Sequence, residues 1–195
     1  MTVLSTANFN IGELEVSHLT STLQSESISW KTISLSRGLH RLKISGRILL
    51  ENDADTKAWE AFWLSIQGKA LPFTLDTGND NTWSNPLFTP VTGAVSISTA
   101  GIIGQTQIVL TGNVTSVIAG SKFQIGQSTK VYTITEINKT TKAITFFPAL
   151  RLAFPASTVL SFYVKPKMQM TKDETSVNYG ARGKEISFEC VEVIE

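Results

Sequence analysis

The sequence predicts a mainly β chain, a β-rich α+β arrangement in which strands and one helix are interrupted by a small barrel. Three observations lead there. Between residues 93 and 164, short alternating runs ("AVSIS", "QTQIVLTG", "SKFQIG", "KVYTITEI", "AITFFPAL", "TVLSFYV") are separated only by Gly, Asn-Lys and Pro signals, the pattern of a closed or nearly closed barrel. Outside that stretch a single segment has strong helical periodicity. After it the chain ends in a strand whose Ile186, Phe188 and Cys190 alternate with Glu185, Ser187 and Glu189, and such a strand needs a sheet to pair with. The economical topology inserts a barrel, residues 93–164, into a discontinuous domain made of residues 1–92 and 165–195.

In chain order, Leu4, Phe9, Ile11, Leu14 and Val16 are apolar but irregularly spaced around Gly12, which predicts an extended arm or a short edge strand. From Ser27 to Leu35 the alternation changes phase, Ile28 and Trp30 on one parity and Ile33 and Leu35 on the other, so a bulge is expected near Lys31. Arg37-Gly38 is then expected to turn the chain into "HRLKISGRILL", a half-buried strand with Leu42, Ile44, Ile48 and Leu50 on its inner face. Arg41, Lys43 and Arg47 fall on the other face, and a solvated strand surface explains them better than a phosphate groove.

The helix lies in "DADTKAWEAFWLSIQG". Asp53 or Asp55 is the expected N-cap, Trp59, Phe62, Trp63 and Ile66 form a stripe at i, i+3, i+4 and i+7, and Gly68 is the expected stop. At helical spacing this aromatic stripe reads as the anchor of the helix on a sheet, not as a sugar platform. "KALPFTLD" is the next strand, with Pro72 at its start or on an edge, and "SNPLFTP" an extended connector stiffened by Pro86 and Pro90.

Composition narrows the function classes. Seventeen basic and sixteen acidic residues leave a net charge of +1, which gives no global field to draw the chain to nucleic acid or to an acidic membrane. Charged residues make up only 17%, so much of the surface is neutral and suited to assembly. The single Cys190 excludes an internal disulfide and reads as a small buried hydrophobe, which fits a reducing cytoplasm. No apolar run approaches about 18 residues and no leader pattern opens the chain, so neither membrane spanning nor secretion is expected.

Few residues invite chemistry. "FTLDTGNDNTW" contains the Asp-Thr-Gly triplet of aspartic proteases, but that chemistry needs two carboxylates sharing a proton, and with one copy per chain only a homodimer pairing Asp76 with its mate would supply them. Asp, Gly and Asn crowded after a strand are also ordinary turn chemistry. His18 and His40 show no metal spacing and read as surface or strand histidines. "GIIGQTQ" precedes a strand and has no Lys-Ser/Thr, so it reads as a turn and not as a phosphate loop. No catalytic, cofactor-binding or metal residue is therefore assigned, no cofactor is expected, and the chain is read as a non-enzyme.

The stretch "VIAGSKFQIGQSTKVYTITEINKTTKAITFFPALRLAF" resembles the small barrel module of tailed-phage structural proteins: Ala-Gly before a polar-Phe strand, then Val-Tyr-x-Ile, then an apolar strand ending in Pro-x-Leu. With its place in the chain, it resembles the distal tail protein of long-tailed phages, in the variety whose ring domain carries an inserted oligosaccharide/oligonucleotide-binding (OB) type barrel. Side-chain similarity is confined to residues 118–152; elsewhere the likeness is one of element order. The resemblance implies a virion protein, made in the host cytoplasm, that self-associates into a homohexameric ring at the tail tip or baseplate. It implies as partners the tail tube protein and the tip or hub proteins, with a carbohydrate contact by the barrel left open; the charge balance and the short apolar runs argue against strong nucleic-acid binding and membrane contact. It places Asp76 in a turn between domains and supplies no active site.

Two other function classes are weighed beside it. One is a carbohydrate- or nucleic-acid-binding module displaying Phe123, Tyr132, Phe146 and Phe147, although their alternation fits a barrel core as well. The other is the homodimeric aspartic protease.

Overall fold

The computed structural model describes residues 2–78, 83–85, 94–177, 179 and 183–194. The expected class holds: among the described residues the chain is mainly β, with one helix and a closed six-stranded barrel. A six-stranded sheet is built from β1 (Val3–Ser5), β2 (Asn10–Glu26), β3 (Thr32–Leu50), β4 (Phe73–Asp76), β11 (Lys167–Met170) and β12 (Lys184–Glu192), in the order β1-β4-β11-β12-β3-β2. The β1–β4 pair is parallel and the others are antiparallel. The strand after the barrel does find its sheet: β12 lies between β3 and β11, with Cys190 opposite Ile44.

Alternation sets the faces of this sheet. Leu42, Ile44, Ile48 and Leu50 of β3 are buried on one side with Phe73, Leu75, Met168, Met170, Phe188 and Cys190. Gly46 shares this parity because a Cβ there would sit 2.9 Å from Leu14 Cδ2 and from Phe188 Cε1, so glycine lets the Phe188 ring lie across the strand. On the opposite face Lys43 pairs with Glu189 at 2.8 Å, and Arg47 reaches Glu13 and Glu185, so the basic row is a solvated face neutralised by neighbouring strands.

Helix α1 (Asp53–Ile66) covers the inner face. Its N-cap is Asn52 and not Asp53 or Asp55; the Asn52 side chain accepts from the Asp55 N–H at 2.9 Å, while the two aspartates occupy the first turn, where the helix dipole favours them. Gln67 ends the helix in a left-handed conformation (φ 53°) and Gly68 follows at φ 63°. Trp59, Phe62 and Ile66 are buried and Trp63 is half-buried. Phe9 meets Trp59 and Phe62 edge-on, each at 6.0 Å, joining the N-terminal segment to the helix.

The turn and the bulge of the N-terminal hairpin lie elsewhere than the sequence suggests. The chain reverses at Ser27–Lys31, where the Trp30 N–H donates to the Ser27 carbonyl and Trp30 itself is left-handed (φ 61°). Arg37-Gly38 lies inside β3, and the register shift between Thr20 and Thr22 marks the irregularity there, with Gly38 at φ 65°. The irregular N-terminus resolves into a short edge strand, β1, and the long β2.

The barrel comprises β5 (Val95–Ile97), β6 (Gln107–Thr111), β7 (Lys122–Ile125), β8 (Tyr132–Asn138), β9 (Ala143–Phe147) and β10 (Val159–Ser161), all neighbours antiparallel, in the closed order β10-β5-β6-β9-β8-β7. Val95, Ile97, Ile108, Leu110, Ile144 and Leu160 point inward around a nucleus of aromatic rings. Of the segment expected to be a connector, Ser84 to Pro90, residues 86–90 lie outside the described residues.

Candidate functional site

Two places in the molecule carry more than packing requires. The first is the outer part of the β2–β3 hairpin, where every residue from Thr22 to Leu39 is exposed. Beyond the bulge, five residue pairs from Thr22↔Ser36 to Glu26↔Thr32 continue the ladder into solvent. At roughly 3.3 Å per residue that is an arm on the order of 15 Å long before its turn. Directly opposed residues share a face, so Leu23 and Leu35 lie together with Ser25 and Ile33, while Thr22, Gln24, Glu26, Thr32, Ser34 and Ser36 take the other side. Ile28 and Trp30 crown the tip, Trp30 at 81% exposure. A two-stranded ribbon is marginal by itself in water, and one that bares an apolar face is built to be covered.

The second place lies where the barrel meets the sheet. The inner face of β3 continues past the helix-covered Ile44 to Leu42 and His40, and here the barrel provides the cover: Leu42, Val131 and Val164 form a buried cluster flanked by Val16 and Trp83. Within it the fully buried carboxylate of Glu192, from β12, accepts from the N–H of Leu42 (3.1 Å), the N–H of Val131 (2.8 Å) and the ammonium of Lys130 (2.5 Å). A buried carboxylate persists only when its lone pairs are filled, and three donors fill them here. Lys130 also faces His40 Nδ1 at 3.4 Å, and His40 Nε2 meets His18 Nδ1 at 2.8 Å. Burial, the Lys130 ammonium and His18 pull His40 down to about 4, and burial with Lys122 and Lys130 lowers His18. For Lys130, burial lowers the pKa in spite of the opposing pull of Glu192.

The residues singled out from the sequence are distributed as follows. Asp76 is the last residue of β4, and Oδ1 accepts from Tyr163 O–H (2.5 Å) and Gly78 N–H (3.1 Å), while Oδ2 pairs with Lys165 at 2.8 Å. Burial works to raise its pKa, but the Lys165 and Tyr163 hydrogen bonds outweigh this and keep the carboxyl below its usual range. Tyr163 is pushed up to about 12 by burial and by Asp76. Within the chain this carboxylate clasps the place where the chain leaves the sheet for the barrel and returns from it. Phe123, Tyr132 and Phe146 are buried inside the barrel, where Phe123 stacks on Tyr132 and Phe146 meets both edge-on; Phe147 faces outward and meets His40 edge-on at 5.5 Å. Cys190 is buried, and its S–H donates to the Ile44 carbonyl. "GIIGQTQ" is a turn before β6, with Gly104 at φ 86°.

What the sequence did not reveal is the joining of His18 and His40. They are strand histidines, as expected, but the ladder pairs His18 with Leu42 and Thr20 with His40, which sets the two rings side by side on the inner face. Among the described residues no group of His, Cys, Asp and Glu is arranged to hold a metal ion. Among the same residues no helix is long and apolar enough to cross a membrane. Compared with protein-family models and with curated proteins, the chain matches none of either.

Proposed function

We propose that this protein is a structural subunit of a phage tail that closes into a homo-oligomeric ring, a hexamer by resemblance, at the distal end of the tail tube and links the tube to the tip or baseplate proteins. One observation carries the assembly part of this reading: the β2–β3 arm holds an apolar face and the Trp30 tip in solvent. A neighbouring copy that receives the arm would bury Leu23, Ile33, Leu35, Ile28 and Trp30, and at about 25 cal/mol per Å² of apolar surface such side chains supply a substantial driving force. Since arm and receiving surface are different parts of the chain, the contact is heterologous, and repeated around an axis it gives a ring. The near-neutral charge fits docking through apolar and polar neutral surface. The tail location rests on the resemblance of residues 118–152 to the phage barrel module.

Light scattering coupled to gel filtration tests the reading. The full chain is expected to form one defined cyclic oligomer, seen as rings by electron microscopy, and the double change Ile28→Ser/Trp30→Ser to shift it to monomer. Both side chains are exposed, so the monomer's own stability should stay within about 0.5 kcal/mol. A chain that remains monomeric at every accessible concentration would rule the ring out.

A further inference from the structure

The His18–His40–Lys130–Glu192 row has a fixed capacity for protons, and geometry alone sets it. Lys130 is an ammonium with three N–H donors and no acceptor, so His40 Nδ1, 3.4 Å away, must accept. A neutral imidazole has one N–H, which therefore sits on His40 Nε2 and points at His18 Nδ1 at 2.8 Å. His18 Nδ1 must then accept as well, and the His18 proton lies on Nε2. Each acceptor in the row is thereby occupied. An additional proton on His18 would go to Nδ1 and set N–H against N–H; an additional proton on His40 would go to Nδ1 and face the ammonium. Either one breaks a contact in the row.

The row also spans the two halves of the molecule. His18, His40 and Glu192 belong to the sheet, whereas Lys130 and Val131 lie just ahead of the barrel strand β8. We propose that it is a proton-operated latch: the barrel stays docked on the sheet while both imidazoles are neutral, and the uptake of a proton releases it. The surroundings favour release once a charge arrives. Lys122 and Lys130 face His18, and Lys130, Lys122 and Arg151 face His40, so a new imidazolium meets cations on the barrel side. Arg41 adds its charge near Lys130, and the carboxylate set against all of these is Glu192, already holding Lys130 and two backbone N–H groups. The Phe147 ring, also packed on His40, meets it edge-on and offers no counter-charge. His18, partly shielded by its neighbours, is exposed over the rest of its surface and provides the proton with a way in.

The direction follows from linkage. Both histidines are lowered in the folded protein, so docking is complete above the ordinary 6.5 and is lost as pH falls from there towards about 4. The experiment uses the full chain and follows amide hydrogen exchange of Val131, whose N–H donates to Glu192 across the junction, alongside NMR titration of the two histidine rings. Protection of Val131, corrected for intrinsic exchange, is expected to drop by at least about tenfold in this window and in step with the rings. The double change His18→Asn/His40→Gln, whose amides do not titrate, is expected to keep Val131 protected over the same range. Protection unchanged down to pH about 4 overturns the latch. So does its loss at the same pH in the double variant. Should that variant be undocked at all pH values, the wild-type titration decides: rings that titrate near 6.5 while Val131 stays protected overturn the proposal, and coincident changes below 6.5 support it.

Discussion

Asp76 belongs to a familiar triplet, and within the chain its carboxylate is held by Tyr163, Gly78 and Lys165. Its carboxylate is lowered by Lys165 and Tyr163, so it contributes stability that is present above the ordinary 3.8 and fades as pH falls through the lower folded value. Lys165 is about half exposed, and solvent screening keeps the ion pair modest. Asp76→Asn is therefore expected to cost no more than about 1 kcal/mol at neutral pH by chemical denaturation, with the difference from the parent vanishing in strong acid. No peptidase activity should appear or disappear; acid-stimulated cleavage of an unfolded substrate, abolished by the change, would restore the protease reading. The triplet was legible in the sequence, but its partners were not, because Tyr163 and Lys165 arrive only after the whole barrel has intervened.

Among the elements, the helix makes the sharpest contrast between neighbours. Trp59 is fully buried and its indole N–H donates to Thr175 Oγ1 at 3.1 Å, while Trp63 stands half-buried on the stripe's margin. Trp59→Ala is expected to destabilise the fold by about 3 to 5 kcal/mol and Trp63→Ala by clearly less, read from denaturant midpoints at constant m-value. Equal effects would mean that the stripe is buried uniformly. Periodicity located this helix because three of its four stripe residues do face the core. It misplaced the cap, since Asn52, Asp53 and Asp55 all suit a helix start and only backbone geometry separates a cap from a first turn. The hairpin turn escaped notice for a related reason: Ser-Ile-Ser-Trp-Lys contains no Gly, Asn or Pro, and a left-handed Trp30 does what glycine usually does. The glycine that was visible, Gly38, serves the bulge instead.

At the level of the whole molecule, barrel and sheet were both legible from alternation, whereas the junction between them was not, because His18, His40, Lys130 and Glu192 come from distant parts of the chain and meet only through register. The chain leaves the sheet after β4 and returns at β11, and these strands pair with Lys167 opposite Thr74. The two ends of the barrel segment are therefore adjacent, the geometry that insertion tolerates. Replacing residues 93–164 by a short Gly-Ser linker is expected to leave a folded sheet-and-helix unit that still self-associates, as judged by circular dichroism and light scattering. An unfolded product, or a folded monomer where the full chain forms rings, would show that the barrel is needed for the fold or for assembly. The central position of β12 has a further consequence, for biosynthesis. The barrel strands follow one another closely, so they can close soon after leaving the ribosome, but the edge of β3 from Lys43 to Leu50 must wait, its backbone groups unpaired, for a strand more than a hundred residues further along the chain. The half-made sheet is then the nascent chain's most aggregation-prone stage, and a chaperone that shields β3 during translation should raise the soluble yield more than one acting on the released protein.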